Sequence, residues 1–349
     1  MNVLFAPDWK SGNPYQSLLA SALADLGVQV EFLSTYRRGL PLARGVHGSK
    51  ADVMHLHWPE AYFPQTDTIV GFFRALKFPV DLHLATRRRA LVVTGHNLLP
   101  HNWKATQVIR RAIAAAFQSA HRVVAHSSRS REILISAYRL SPERVAVIPH
   151  GDLAPPGIPL PGLRESRSTL GLSDVGPVVV MFGRVEPYKG CDELISFWRE
   201  NVKNGRLLIA GEAPYPQYTG RIHELAASSP NIEFRLGHLS EEELRVTLGA
   251  ATAVIFNYTR ILTSGAACLA RSYGVPILIP ARLDTVDLQE PDPRVLRFES
   301  FEQIPELIER AESLSTNYQF AEGFREHCSW RRVAELTATV YADAARCAG

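Results

Sequence analysis

Short apolar runs alternate with longer amphipathic segments along nearly the whole of this sequence, and that alternation is its tightest constraint. Residues 2–6, 28–33, 53–57, 90–95, 122–126 and 145–149 read as strands, while 15–26, 103–119 and 130–140 carry helical spacing. Strands joined through helical crossovers run parallel and are covered on both faces. A second series follows, with strands at 178–182, 206–210, 232–236, 253–256 and 276–280 and helices at 192–201, 218–227, 241–250 and 263–273. Between the two lies Gly151-Asp152-Leu153-Ala154-Pro155-Pro156-Gly157-Ile158-Pro159-Leu160-Pro161-Gly162, rich in helix and strand breakers. The expectation is an α/β chain of two doubly wound, parallel-sheet, Rossmann-like domains, 1–155 and 156–329, facing each other across a cleft. Ligands of such sheets sit outside the carboxyl ends of the strands, so the loops there deserve the closest reading.

Totals narrow the classes. A chain of 349 residues suits two domains, and a net charge of +3 gives no global argument for a nucleic-acid partner. Arginines do clump in the first third, at Arg37-Arg38, Arg87-Arg88-Arg89 and Arg110-Arg111. Cys191, Cys268, Cys328 and Cys347 are scattered, which argues against a disulfide framework or a zinc site and fits a reducing cytoplasm. The opening MNVLFAPDWK reads as strand and loop rather than a secretory leader, and no apolar run is long enough to span a bilayer. Residues 69–84 place Phe72, Phe73, Leu76 and Phe78 beside Arg74 and Lys77. A helix resting on a membrane surface and a buried amphipathic helix both account for that mixture.

In the second half, MFGRVEPYKG sets Arg184 and Lys189 just beyond a strand, as donors suited to a diphosphate. In LLIAGE, Gly211 would admit a ligand to the backbone and Glu212 would accept from a ribose or base. The turn YTRILTSGA brings Tyr258, Arg260, Thr263, Ser264 and Gly265 to the start of a helix. Free backbone N–H groups and the positive dipole end there favour an anion, although a plain N-cap also explains the hydroxyls. There is no phosphate-loop signature and no Asp-x-Asp, so Arg, Lys and helix-tip donors are expected to meet a departing diphosphate without a metal.

The first half offers different groups. Asp8 follows the first strand, and Asn13 and Tyr15 open the first helix. HLHWPE supplies His57, Trp58 and Glu60; TGHNLLPH supplies His96, Asn97 and His101. Trp58 would stack on a sugar ring while Asn13, Tyr15, His57, Asn97 and His101 surround it and read hydroxyls. The histidine spacing lacks a zinc pattern, and no metal site is expected. Asp8, Glu60 and His96 are the candidate bases, with Asp8 favoured, the alternative for Asp8 being an Asx turn.

Together, FGRVEPYKG, IAGE, SGAACLARSYGVPIL and SWRRVAELTATVY resemble the GT-B superfamily of nucleotide-sugar-dependent glycosyltransferases over almost the whole chain. The resemblance implies that Arg184 and Lys189 grip the donor diphosphate, that His96 touches the donor sugar and that a final helix, 330–349, crosses back to the first domain. Retaining members with this pattern usually carry two Glu residues where this chain has Ile261 and Leu269, which favours an inverting branch. HLHWPE, HNLLPH and YTRILTSGA further resemble the mannosyltransferases of bacterial, xanthan-type exopolysaccharide synthesis. That likeness implies GDP-mannose as donor and a lipid-linked oligosaccharide acceptor, on polyprenyl diphosphate and ending in glucuronic acid. It also implies peripheral contact of the N-terminal domain with the cytoplasmic face of the inner membrane. A UDP-sugar donor, a nucleotide-sugar epimerase and a degenerate binding module are the alternatives.

Overall fold

The computed structural model describes residues 1–10, 13–34, 39–63, 68–98, 106–172, 176–259, 261–288, 291–314 and 321–348. The chain divides into two compact units, Met1–Gly151 with His327–Gly349, and Asp152–Glu326.

The first unit is built on six parallel strands: β1 (Asn2–Ala6), β2 (Gln29–Phe32), β3 (Val53–His57), β4 (Ala90–Thr94), β5 (Arg122–Ala125) and β6 (Val145–Val147). Their order is β2-β1-β3-β4-β5-β6, so the winding reverses between β1 and β3. Val3 pairs with Val53 and Val93 with Val123, and β3 and β4 are buried at every residue. Burial on both faces explains why these strands read as continuous apolar runs rather than alternating ones. The closing helix Trp330–Ala348 lays Val333, Ala334, Val340, Tyr341 and Ala344 into the same core as Val3, Phe5, Tyr15 and Val92.

In the second unit β7 (Val178–Phe182), β8 (Arg206–Gly211), β9 (Ile232–Leu236), β10 (Ala253–Ile255), β11 (Ile277–Pro280) and β12 (Val295–Phe298) run parallel in the order β12-β11-β10-β7-β8-β9. Here the winding reverses between β7 and β10. The reversal is the place where a doubly wound sheet opens a crevice for its ligand.

Three local readings change. The edge strand β12 escaped the sequence because its four residues alternate in burial and include Arg297. The helix expected from residue 263 begins at Gly265, with Ser264 as its N-cap. The helix expected from residue 103 is described only as Gln107–Ser119, since residues 99–105 lie outside the described set.

Candidate functional site

In the first unit four strand ends carry a histidine, and the sheet brings the rings together. His57 Nδ1 lies 3.1 Å from His96 Nε2, and His96 Nδ1 lies 3.4 Å from His126 Nε2. His126 Nδ1 lies 3.0 Å from the Ile148 carbonyl. Because a carbonyl only accepts, the proton order can be assigned from that end. His126 donates through Nδ1, leaving Nε2 to accept from His96; His96 Nε2 in turn accepts from His57 Nδ1. His57 Nε2 remains as a buried acceptor with no hydrogen-bond partner among the described residues. Alongside, His55 bridges Tyr341 OH at 2.6 Å and Thr94 Oγ1 at 2.7 Å.

Burial, and then the neighbouring imidazoles, hold these rings neutral. His55 is pushed down to about 3 and His126 to about 3, while burial takes His150 down to about 4. His57 and His96 lie well below the ordinary histidine value for the same reasons. Both nitrogens of His96 are therefore engaged inside the protein, which leaves it neither a base nor a side-chain contact for a sugar. His126 and His150 were missed in the sequence, although an apolar run closed by His recurs at 53–57, 122–126 and 145–150.

Trp58 corrects a second expectation. It is 8% exposed and stacks on Trp9 and on His96, with centroids 4.9 and 4.2 Å away, so its ring is not open to a sugar. Of the two stacked indoles, Trp9 is the one open to solvent, at 39%. Trp58 also holds a left-handed backbone, φ 43°, at the exit of β3. Tyr15 is buried among His57, His96 and His126, and Asn13 caps its helix by accepting from the Tyr15 N–H at 3.0 Å. Both have structural work already. Asp8 accepts from the Lys10 N–H at 3.3 Å in the Asx turn and pairs with the Lys10 ammonium at 3.5 Å. Glu60 differs: burial raises its pKa, and Asn97 Nδ2 donates to Oε1 at 3.1 Å. It stands beyond β3, beside the reversal of winding, as a carboxyl group whose pKa burial pushes upward. His101 lies outside the described residues.

In the second unit the loops after β7, β8 and β10 converge at the reversal. Gly211, φ 129°, lies so close to the loop after β7 that an added Cβ would sit 2.3 Å from the Gly183 carbonyl oxygen. The Val185 N–H donates to the Glu212 carbonyl at 2.7 Å, tying the same loops together. Arg184 is exposed and its Nε lies 3.0 Å from Glu186 Oε1. Lys189 is buried, its pKa lowered to about 8 chiefly by desolvation, with Nζ 5.4 Å from the ring centre of Tyr258. Tyr258 is itself buried, so it serves as a floor for that ammonium rather than as a ligand contact.

Three hydrogen bonds pin the Lys189 loop to the segment after β10. Asn257 Nδ2 donates to the Gly190 carbonyl at 3.1 Å; the Thr259 N–H and Oγ1 reach the Tyr188 carbonyl at 2.8 and 3.1 Å. Neither Asn257 nor Thr259 was singled out in the sequence. Ser264 Oγ accepts from the Ala267 N–H at 3.1 Å, so its hydroxyl is the N-cap, while Thr263 and Gly265 remain half-exposed beside it. Glu212 is half exposed and 3.5 Å from His238. Ile261 and Leu269 pack against the apolar core of this unit. Arg260 lies outside the described residues. Among the described residues no group of three or more His, Cys, Asp or Glu side chains is arranged to hold a metal ion.

Comparison with known proteins follows the same lines. Residues 15–151 match the model described as Glycosyltransferase Family 4. Over 288 residues the chain is 28% identical to the GDP-mannose:glycolipid 4-beta-D-mannosyltransferase of Xanthomonas campestris pv. campestris, covering 80% of this chain and 74% of that protein. A stretch of 79 residues, 22% of this chain and 18% of that protein, is 38% identical to the D-inositol 3-phosphate glycosyltransferase of Kineococcus radiotolerans. Among solved structures, Anabaena Alr3699/HepE in complex with UDP and glucose matches with a TM-score of 0.72 at 17% identity, over 98% of this chain and 99% of that one. Sucrose-phosphate synthase from Thermosynechococcus elongatus matches with a TM-score of 0.68 at 15% identity, over 98% of each chain.

Proposed function

We propose that this chain, a glycosyltransferase of the GT-B fold, transfers mannose from GDP-mannose to a glycolipid acceptor. The observation that carries the reading is the likeness over 80% of the chain to a protein named for that donor and acceptor class. The Xanthomonas protein is named for a 4-beta product; GDP-mannose holds its sugar in the α configuration, so a β product here requires inversion. Apolar Ile261 and Leu269, where retaining relatives usually carry acids, support the same outcome. The acceptor we favour is lipid-linked, on polyprenyl diphosphate, and ends in glucuronic acid. The pathway is xanthan-type exopolysaccharide synthesis, worked at the cytoplasmic face of the inner membrane with peripheral contact through the N-terminal unit.

In this reading the second unit holds the donor. Arg184 and Lys189 meet the diphosphate, and Glu212 is the candidate for the ribose or base. Two fixed cations then stabilise the departing GDP as a divalent ion would. The first unit supplies the base. Glu60, in its ionised form, takes the proton as the acceptor oxygen bonds to the anomeric carbon and the bond to GDP breaks. Asn97 stabilises that carboxylate through the hydrogen bond it already makes.

The test is incubation of the purified protein with GDP-mannose and a glucuronic-acid-ended polyprenyl glycolipid, with and without EDTA, followed by linkage analysis. Transfer of β-linked mannose, indifferent to EDTA, is expected. Glu60→Gln should lower kcat by about 10²–10⁴ while GDP binding is unchanged. Transfer from UDP-sugars alone would discard the donor, and a Glu60→Gln enzyme of near wild-type rate would discard the base.

A further inference from the structure

The helix Ile69–Thr86 buries Ala75, Phe78, Leu82 and Ala85 and turns a second apolar stripe outward. Ile69 is 77% exposed, Val70 59%, Phe73 51%, Leu76 55% and Val80 58%. Neither half of the sequence-based alternative was complete: the helix is anchored on one side and bare on the other. Single exposed apolar residues need no explanation, but a stripe along one helix face does.

Charge says what the stripe meets. This helix packs against the helices Pro41–Gly45 and Gln107–Ser119. Across those three helices the one carboxylate is Asp81, which is buried and accepts the N–H groups of Leu42 and Ala43 at 2.9 and 2.8 Å. Arg74, Lys77, Arg110 and Arg111 are exposed on the same helices, and Arg87 and Arg88 are exposed just beyond the stripe. A second copy of this chain would bring the same cations against these. An anionic bilayer supplies both an apolar layer for the stripe and phosphates for the rim. Arg74 and Lys77 also border a cavity of about 390 Å³ walled by Tyr62, Val70, Phe78 and Asp81, whose carboxylate is already held by the Leu42 and Ala43 N–H groups.

We propose that the outer face of the helix Ile69–Thr86 docks on an anionic lipid surface, with lipid phosphates meeting the exposed Arg74 and Lys77 at its rim. The proposal deepens the membrane contact put forward above and gives it an address. It draws on the glycolipid reading only for its purpose, since docking needs neither donor nor acceptor.

The experiment is flotation of the full chain with phosphatidylcholine vesicles and with vesicles of phosphatidylcholine and phosphatidylglycerol. The protein should float with the second and stay behind with the first, and added salt should release it. Arg74→Gln with Lys77→Gln should reduce partition roughly thirtyfold, from about fivefold per cation. Phe73→Ser with Leu76→Ser should also abolish flotation, and the exposure of both residues keeps the fold out of the result. All variants should transfer at the wild-type rate to a lipid-free, water-soluble acceptor, so docking and transfer can fail separately. Equal flotation with neutral vesicles, or unchanged flotation of the variants, overturns the proposal. So does a dimer in light scattering that Phe73→Ser with Leu76→Ser dissolves, because a second copy would then be the occupant.

Discussion

Acidification should unfold the first unit before the second, and the buried histidines set the window. The sign follows from where protons bind. In the unfolded chain a histidine protonates as pH falls through its ordinary value of 6.5, whereas native His55 and His126 resist until about 3 and His150 until about 4. Between those limits the unfolded state binds more protons, so stability falls with pH. At pH 5 each of the three rings costs about 2 kcal/mol relative to neutral pH, roughly 6 kcal/mol together. His57 and His96 move in the same direction. Such a sum is comparable with the whole stability of a domain, on the order of 5–15 kcal/mol. The second unit has an internal contrast, since its two histidines, His223 and His238, are exposed. Native-state hydrogen exchange read by mass spectrometry, corrected for intrinsic rates, would follow peptides from β3–β5 and β7–β8 between pH 7.5 and 5. Protection in β3–β5 should collapse while β7–β8 holds. Equal loss in both sheets, or none in the first, would refute the neutral-ladder argument.

Other outcomes bear on the proposed donor site. Affinity for GDP, measured by calorimetry, should fall as pH rises through about 8, where Lys189 loses its proton, and Lys189→Met should remove that step. Arg184→Ala should weaken GDP roughly tenfold or more without altering thermal stability, because the side chain is 60% exposed. Asn257→Ala removes one of two donors to the Gly190 carbonyl, the Leu194 N–H remaining, and should cost about 0.5–1.5 kcal/mol in denaturant unfolding, together with weaker GDP binding. Gly211→Ala and Gly237→Ala separate clash from backbone strain. Their φ angles are similar, 129° and 133°, but only at Gly211 does the new Cβ meet backbone, so it should be worse by about 1–3 kcal/mol in the same assay.

The two sheets were legible because parallel strands buried on both faces leave uninterrupted apolar runs, and β3 and β4 are of that kind. The strand β12 was not, because an edge position tolerates Arg297 and alternation over four residues resembles a loop. In the second unit Arg184, Lys189 and Gly211 could be placed at strand ends by counting alone. Their supports could not, since Asn257 and Thr259 act through main-chain carbonyls of a loop far off in sequence. The other half went further astray for a related reason. His96, Trp58 and Tyr15 have the chemistry of sugar-binding residues, yet whether a ring faces solvent or another ring depends on which strands are neighbours. Parallel pairing of β3, β4 and β5 turned them on one another.

The chain of imidazoles has a direction, and direction makes its members unequal. Every ring takes its orientation from the one nearer the Ile148 carbonyl, as each runner in a relay depends on the one before. Replacing His57 removes the last runner: His96 Nε2 loses its donor, but the proton positions of His96 and His126 stay as they were. Replacing His126 removes the first, and both His96 and His57 then lose the constraint that settles which nitrogen carries hydrogen. Damage should therefore grade along the chain, greatest at the anchored end and least at the open one. Three residues of identical type, in mutual contact, would tolerate substitution in a fixed order.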